Sequence, residues 1–249
     1  MHIPPRFAEL IDSLNSPVVA YYSGSTAEGT GHAHSDVDLY VMSDDVVDTL
    51  PPDGLNTSTT FNGAPISIFI EHFEGQRWDL ERWPSCAVTF ILNKLESDSA
   101  TGRKSLSHGD AEFLCRAVNG RSFVGKSAHE LLRERILNAG LRRVLMRRFA
   151  YSAEVRLEDA AGLARSGSDR EAALQIRDAF GFVVDMELAR NHDFSLSTKR
   201  RLLRLERLNS SDFTAEEYWN AERMDFEGDI GEWCRRTTLR LRKVLSHVD

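Results

Sequence analysis

The stretch that decides the fold is Val18-Val-Ala-Tyr-Tyr22, then Ser23-Gly24-Ser25, a small and polar run to Gly31, and Ser35-Asp36-Val37-Asp38-Leu39-Tyr-Val-Met42. Its first five residues are β-prone, and its last six alternate apolar residues with aspartates as a half-buried strand does. Asp36 and Asp38 stand two apart on that second strand, so they leave the same face with α-carbons about 7 Å apart. Two carboxylates that close repel unless a cation lies between them. A hard divalent ion such as Mg²⁺ takes one or two carboxylates together with phosphate oxygens. Gly24 lets backbone approach a phosphate, and Ser25 offers it a hydroxyl and an amide. The stretch therefore reads as two strands joined by a phosphate cradle beside a metal-binding pair.

Upstream, Phe7, Leu10, Ile11 and Leu14 recur at helical spacing, and Pro17 closes that helix. Downstream, residues 56–61 and 65–71 flank Asn62-Gly63, a strong hairpin signal. The N-terminal part thus reads helix, strand, loop, strand, helix, hairpin: a small mixed sheet with helices on one face. From about Gln76 the pattern turns helical, with residues 76–119 ambiguous. Ser127-Ala-His-Glu130, Ser168-Asp-Arg-Glu171 and Thr214-Ala-Glu-Glu217 fit the capping box that starts helices. Breaks at Ser166-Gly167 and Asn209-Ser210-Ser211 separate helices, and a boundary is expected near Gly120.

Composition sets the outer limits. The chain has 249 residues, 41% hydrophobic and 28% charged, the proportions of an ordinary globular protein. No apolar run is long enough to span a membrane, and Met1-His2-Ile3-Pro4-Pro5 lacks the pattern of a signal peptide. Cys86, Cys115 and Cys234 are odd in number and far apart, which suits reduced thiols in a cytoplasmic protein. A net charge of −7 disfavours a broad nucleic-acid surface.

Residues 18–42 resemble the signature of the DNA polymerase β nucleotidyltransferase superfamily: apolar strand, Gly-Ser, a loop of about ten residues, then Asp-x-Asp in a second strand. The wider order resembles the aminoglycoside-type small-molecule nucleotidyltransferases. The resemblance implies an α+β fold, with a small mixed-sheet catalytic domain over 1–119 and a helical substrate-binding bundle over 120–249. It implies a nucleoside triphosphate donor, ATP foremost, and Mg²⁺ on Asp36 and Asp38, with Gly24, Ser25 and Ser35 at the nucleotide. The expected reaction moves a nucleoside monophosphate to a hydroxyl of a small-molecule acceptor and releases pyrophosphate. A protein or tRNA acceptor, or a non-catalytic binding role, stands as the alternative.

The family also implies a third carboxylate on a later strand. Its usual place falls nearest Ser67, which cannot serve, and Glu71 is the candidate, against a solvated strand-end charge. Lys199 resembles the lysine that such enzymes fold over the triphosphate; the other reading is a surface lysine among Arg200, Arg201 and Arg204. Arg142, Arg143, Arg147 and Arg148 form a second basic cluster, either phosphate-facing or simply solvated. Glu154, Glu158 and Asp185 are open candidates for acceptor recognition. His32 and His34 suit a loop beside the nucleotide or open solvent, and Trp78 and Trp83 suit core or base-stacking positions.

Overall fold

The structure, a computed structural model, describes residues 2–15, 18–29, 31, 35–45, 55–61, 64–208, 212–226 and 228–247. It divides into two compact units, Met1–Leu141 and Arg142–Asp249.

The first unit opens with helix α1 (Pro5–Ser13), strand β1 (Val19–Ser23), a single helical turn α2 (Gly24–Ala27) and strand β2 (Val37–Met42). Strands β3 (Leu55–Phe61), β4 (Ala64–Phe73) and β5 (Gln76–Trp83) follow, then helices α3 (Ser85–Thr101) and α4 (His108–Asn119), strand β6 (Arg121–Val124) and helix α5 (Lys126–Asn138). The strands form one mixed sheet in the order β3-β4-β5-β2-β1-β6. Only β2 and β5 pair in parallel among the described strands.

Side-chain alternation gives the sheet two different faces. On one, Ala20, Val37, Leu39, Val41, Phe69, Trp78 and Leu80 pack with Phe7, Leu10 and Ile11 of α1 into a closed core. This is why α1 carries its apolar residues three and four apart. Burying such side chains stabilises the unit by about 1.5–3 kcal/mol apiece before entropy is counted. The opposite face presents Tyr21, Tyr40, Asp38, Asp79, Glu81 and Trp83, with Phe113 of α4 against Trp83 and His129 of α5 stacked on Tyr21.

One expectation changes here. Residues 76–83 are a strand, not the start of helical structure. A two-residue turn, Glu74-Gly75, joins β4 to β5 with both residues at positive φ (51° and 77°). That turn type usually advertises itself with Asn-Gly or Asp-Gly, and a glutamate in its first position hides it. The first compact unit ends at Leu141. Gly120 is a packing glycine: a Cβ there would lie 2.4 Å from the Tyr21 ring. The chain passes that close because β6 pairs with β1 immediately afterwards. The Asn62-Gly63 turn, the Asn209–Ser211 break and most of the segment expected to be helical between β2 and β3 lie outside the described residues.

The second unit holds α6 (Leu141–Arg165), α7 (Asp169–Arg190), α8 (Arg201–Glu206), α9 (Ala215–Glu222) and α10 (Ile230–Leu245). Helix α7 is its centre, with both apolar flanks buried from Ala172 to Ala189. Arg201 is buried against it, forking onto both oxygens of Asp185 at 2.8 and 2.7 Å and donating to the Tyr218 hydroxyl at 3.1 Å. Thr214 and Glu217 close a reciprocal capping box at the start of α9. Ser168 precedes α7 without a side-chain cap, and Ser127 lies inside α5, whose cap position is Gly125. Cys115 and Cys234 are buried and Cys86 is exposed, and none of the three is in a disulfide among the described residues. Among the described residues no helix is long and apolar enough to cross a membrane.

Candidate active site

The site is built where β1, β2 and β5 lie side by side. The antiparallel register sets Ser23 opposite Asp38, and the parallel register sets Asp38 opposite Asp79. Facing residues on neighbouring strands share a sheet face, so Asp38 and Asp79 project together. Asp36 stands just before β2 and is exposed, with its carbonyl 3.5 Å from the Thr26 hydroxyl. Ser35, next to it, accepts from the Gln76 side chain through its carbonyl at 3.4 Å.

Gly24 is where the chain leaves β1, at φ +67°. A Cβ at this position would lie 2.2 Å from Asp38 Oδ2. The glycine therefore serves two needs at once: a left-handed backbone turn and room for the carboxylate. Ser25 follows it in the α2 turn.

Each central carboxylate faces a guanidinium. Arg77 forks onto Asp79 at 2.8 and 2.9 Å. Arg116, from α4, lies 3.0 Å from Asp38 Oδ1, with 26% and 23% of the two side chains exposed. Burial pushes the Asp38 carboxyl up from its ordinary value, Arg116 pulls it back, and Asp79 and Asp36 push it up further. Burial likewise raises Glu81, which accepts from the Trp83 indole at 3.0 Å and from the Tyr40 hydroxyl at 3.2 Å. Burial opposes the charge on Arg116, but Tyr40, Asp38 and Glu112 outweigh it and hold the guanidinium protonated.

The carboxylate oxygens of Asp36 and Asp38 are hard donors of the kind Mg²⁺ prefers, and two of them plus substrate phosphates make an ordinary Mg²⁺ set. Among the described residues no three acidic, imidazole or thiolate groups converge on one point. Asp79 and Asp38 are instead turned onto Arg77 and Arg116. The donor set fits a divalent ion that arrives with phosphates rather than one caged by protein alone.

Glu71 is elsewhere. It pairs with Trp78 across β4 and β5, and Trp78 belongs to the core face. Glu71 and Ser67 thus stand on the face opposite to Asp38, and Glu71 Oε2 is buried without a hydrogen-bond partner. The acidic residue that β5 sets beside Asp38 is Asp79. Recognising β5 as a strand would have found it, because Trp78-Asp79-Leu80-Glu81 alternates as β2 does.

In the helical unit Lys199 is exposed on the bend before α8, where its amide meets the Ser197 hydroxyl at 3.3 Å. Its neighbours Arg201 and Arg204 are buried in ion pairs with Asp185 and Asp193, so they are no surface patch. Asp185 is neutralised by Arg201 and is not open to an acceptor. Arg142, Arg143 and Arg147 are exposed on α6. Trp78 and Trp83 are buried core aromatics. His32 and His34 lie outside the described residues. An open cavity of about 440 Å³ lies within this unit, lined by Phe180 and Trp233 with Glu217, Asp225 and Arg236.

Residues 5–100 match the nucleotidyltransferase domain family. Over that segment the chain is similar to nucleotidyltransferase domains. The match runs from α1 through β5 into α3, so it contains Gly24, Asp36, Asp38 and Asp79; Arg116 lies beyond it. The chain is also similar to the crystal structure of a nucleotidyltransferase-like protein from Exiguobacterium sibiricum 255-15. The identity is 14% over 96% of this chain and 72% of that one, with a TM-score of 0.49. No curated protein matches the chain.

Proposed function

We propose that this nucleotidyltransferase domain moves a nucleoside monophosphate, AMP from ATP, onto a hydroxyl of a small-molecule acceptor. The observation that supports it is the in-register pair Asp38 and Asp79 beside Gly24, with Asp36 two residues before Asp38. In this reading Asp36 and Asp38 hold Mg²⁺, which supplies charge neutralisation at the reacting phosphate. Gly24 and Ser25 receive the triphosphate. The acceptor oxygen bonds to the α-phosphorus, the bond from that phosphorus to the pyrophosphate oxygen breaks, and the hydroxyl proton passes to Asp79. Arg77, forked onto both oxygens of Asp79, holds that carboxylate in place.

A small acceptor suits the chain's charge of −7, which disfavours a continuous basic path for RNA, and the cavity in the helical unit is of ligand size. The non-catalytic alternative rested on a missing third carboxylate, and the placement of Asp79 beside Asp38 supports the catalytic reading.

The test is calorimetric titration of ATP, GTP, CTP and UTP with and without Mg²⁺, using the wild type and Asp38→Asn. Metal-dependent binding of ATP that is lost in Asp38→Asn is the expected result. Equal binding by the variant, or binding of no triphosphate at all, overturns the reading.

A further inference from the structure

The Asp38 carboxylate already has a cation on it. Arg116 Nη1 lies 3.0 Å from Asp38 Oδ1. The same nitrogen donates to the Tyr40 hydroxyl at 3.0 Å, and the other terminal nitrogen donates to Glu112 Oε1 at 2.8 Å. The guanidinium carbon lies over the Tyr40 ring, 5.7 Å from its centroid. Tyr40 in turn donates to Glu81, and the Arg116 carbonyl accepts the hydroxyl of Ser23, the residue before Gly24. These anchors do not depend on Asp38. If the carboxylate swings to a metal, Arg116 remains within a few ångströms of it.

Two positive charges are then forced together in a half-buried place, where Coulomb repulsion is less damped than in water. Arginine cannot relieve the conflict by losing its proton. A triphosphate relieves it, because its several negative charges can be shared by both cations.

We propose that Arg116 makes metal binding at Asp38 conditional on the nucleotide. The guanidinium competes with a lone divalent ion for Asp38 and becomes a second phosphate-facing cation once the triphosphate is present. The proposal rests on the reading of Asp36 and Asp38 as the metal pair. Its thermodynamic form is a reciprocal coupling: metal and nucleotide each raise the other's affinity by one factor, and Arg116 sets its size.

The test needs no turnover. Free Mn²⁺ is counted by electron paramagnetic resonance during titration of the full chain without nucleotide. Coupling is read separately, as the ratio of dissociation constants for α,β-methylene-ATP in EDTA and in saturating Mn²⁺. The expected result is that Arg116→Gln binds Mn²⁺ alone about tenfold more tightly than wild type and that its coupling ratio falls by a similar factor. Tyr40→Phe, which keeps the ring and removes one anchor, shifts both values the same way by less, and decides the matter should Arg116→Gln fail to fold by circular dichroism. Unchanged or weaker Mn²⁺ binding in Arg116→Gln, with wild-type binding abolished by Asp38→Asn, overturns the role of Arg116 alone. Equal Mn²⁺ binding by wild type and Asp38→Asn overturns the metal-pair reading and this proposal with it.

Discussion

Replacing Gly24 by alanine separates the two needs that the glycine serves. The first is conformational. At φ +67° an L-residue is strained by about 1–2 kcal/mol, which lowers the melting temperature by roughly 2–8 °C for a protein of this size. The second is steric. The new methyl would lie 2.2 Å from Asp38 Oδ2, against an ordinary contact of 3.4 Å or more. The carboxylate is the mobile end of its side chain, so it withdraws by about 1.2 Å rather than forcing the strands apart. Displacement on the order of 1 Å at a reacting centre costs about 100-fold in rate. Gly29 supplies the control: it has the same φ of +67°, and a methyl added there would meet nothing within 4 Å. Gly24→Ala and Gly29→Ala are therefore expected to lose similar stability by differential scanning calorimetry. Only Gly24→Ala should lose the roughly 100-fold in kcat for pyrophosphate release. Gly24→Ala active within a few-fold of Gly29→Ala would refute the argument that this glycine exists to make room for Asp38.

Three other perturbations follow from the geometry. Asp79→Asn is expected to cut turnover by about 100-fold or more, the general-base contribution, while Glu71→Gln, on the opposite face, leaves it within a few-fold; the reverse ranking in a steady-state assay would return the role to Glu71. Burial raises the Glu81 carboxyl, so folding favours its protonated form and stability is lost as pH rises through that raised value. Glu81→Gln should therefore melt higher than wild type at pH 8, with the gap closing below about pH 4, the ordinary glutamate value. Arg201→Met leaves Asp185, 4% exposed, charged and unpaired, and is expected to destabilise the helical unit by about 3–5 kcal/mol in urea titrations. Asp185→Leu with Arg201→Met should recover most of that loss.

The strands that carry the Gly-Ser and Asp-x-Asp pattern are legible in the sequence because both signals are local. Alternation identifies β2, the helical period of Phe7, Leu10 and Ile11 identifies α1, and the β-prone runs on either side of Asn62-Gly63 identify β3 and β4. Capping residues mark α9 correctly. They also point to Ser127, where the helix instead starts at a glycine in the left-handed region. Strand β5 is not legible. Four of its eight residues are charged, and its turn uses a glutamate at positive φ. Gly120 reads as punctuation in the sequence, yet its reason is the Tyr21 ring packed against it.

The sequence by itself determined that a glycine ends one strand and that Asp36 and Asp38 stand at the start of the next, because both are fixed by neighbours a few positions away. It also determined that a sheet comes first and helices follow, from the change of hydrophobic period. Only the tertiary structure decided which acidic residue of a later strand lies beside Asp38. Strand pairing brings Asp79 across 41 residues to lie beside Asp38 and turns Glu71 to the other face. It likewise brings Arg116 from α4 onto the same carboxylate. Such meetings depend on sheet order and on which face each register exposes, and a one-residue change in register would undo them.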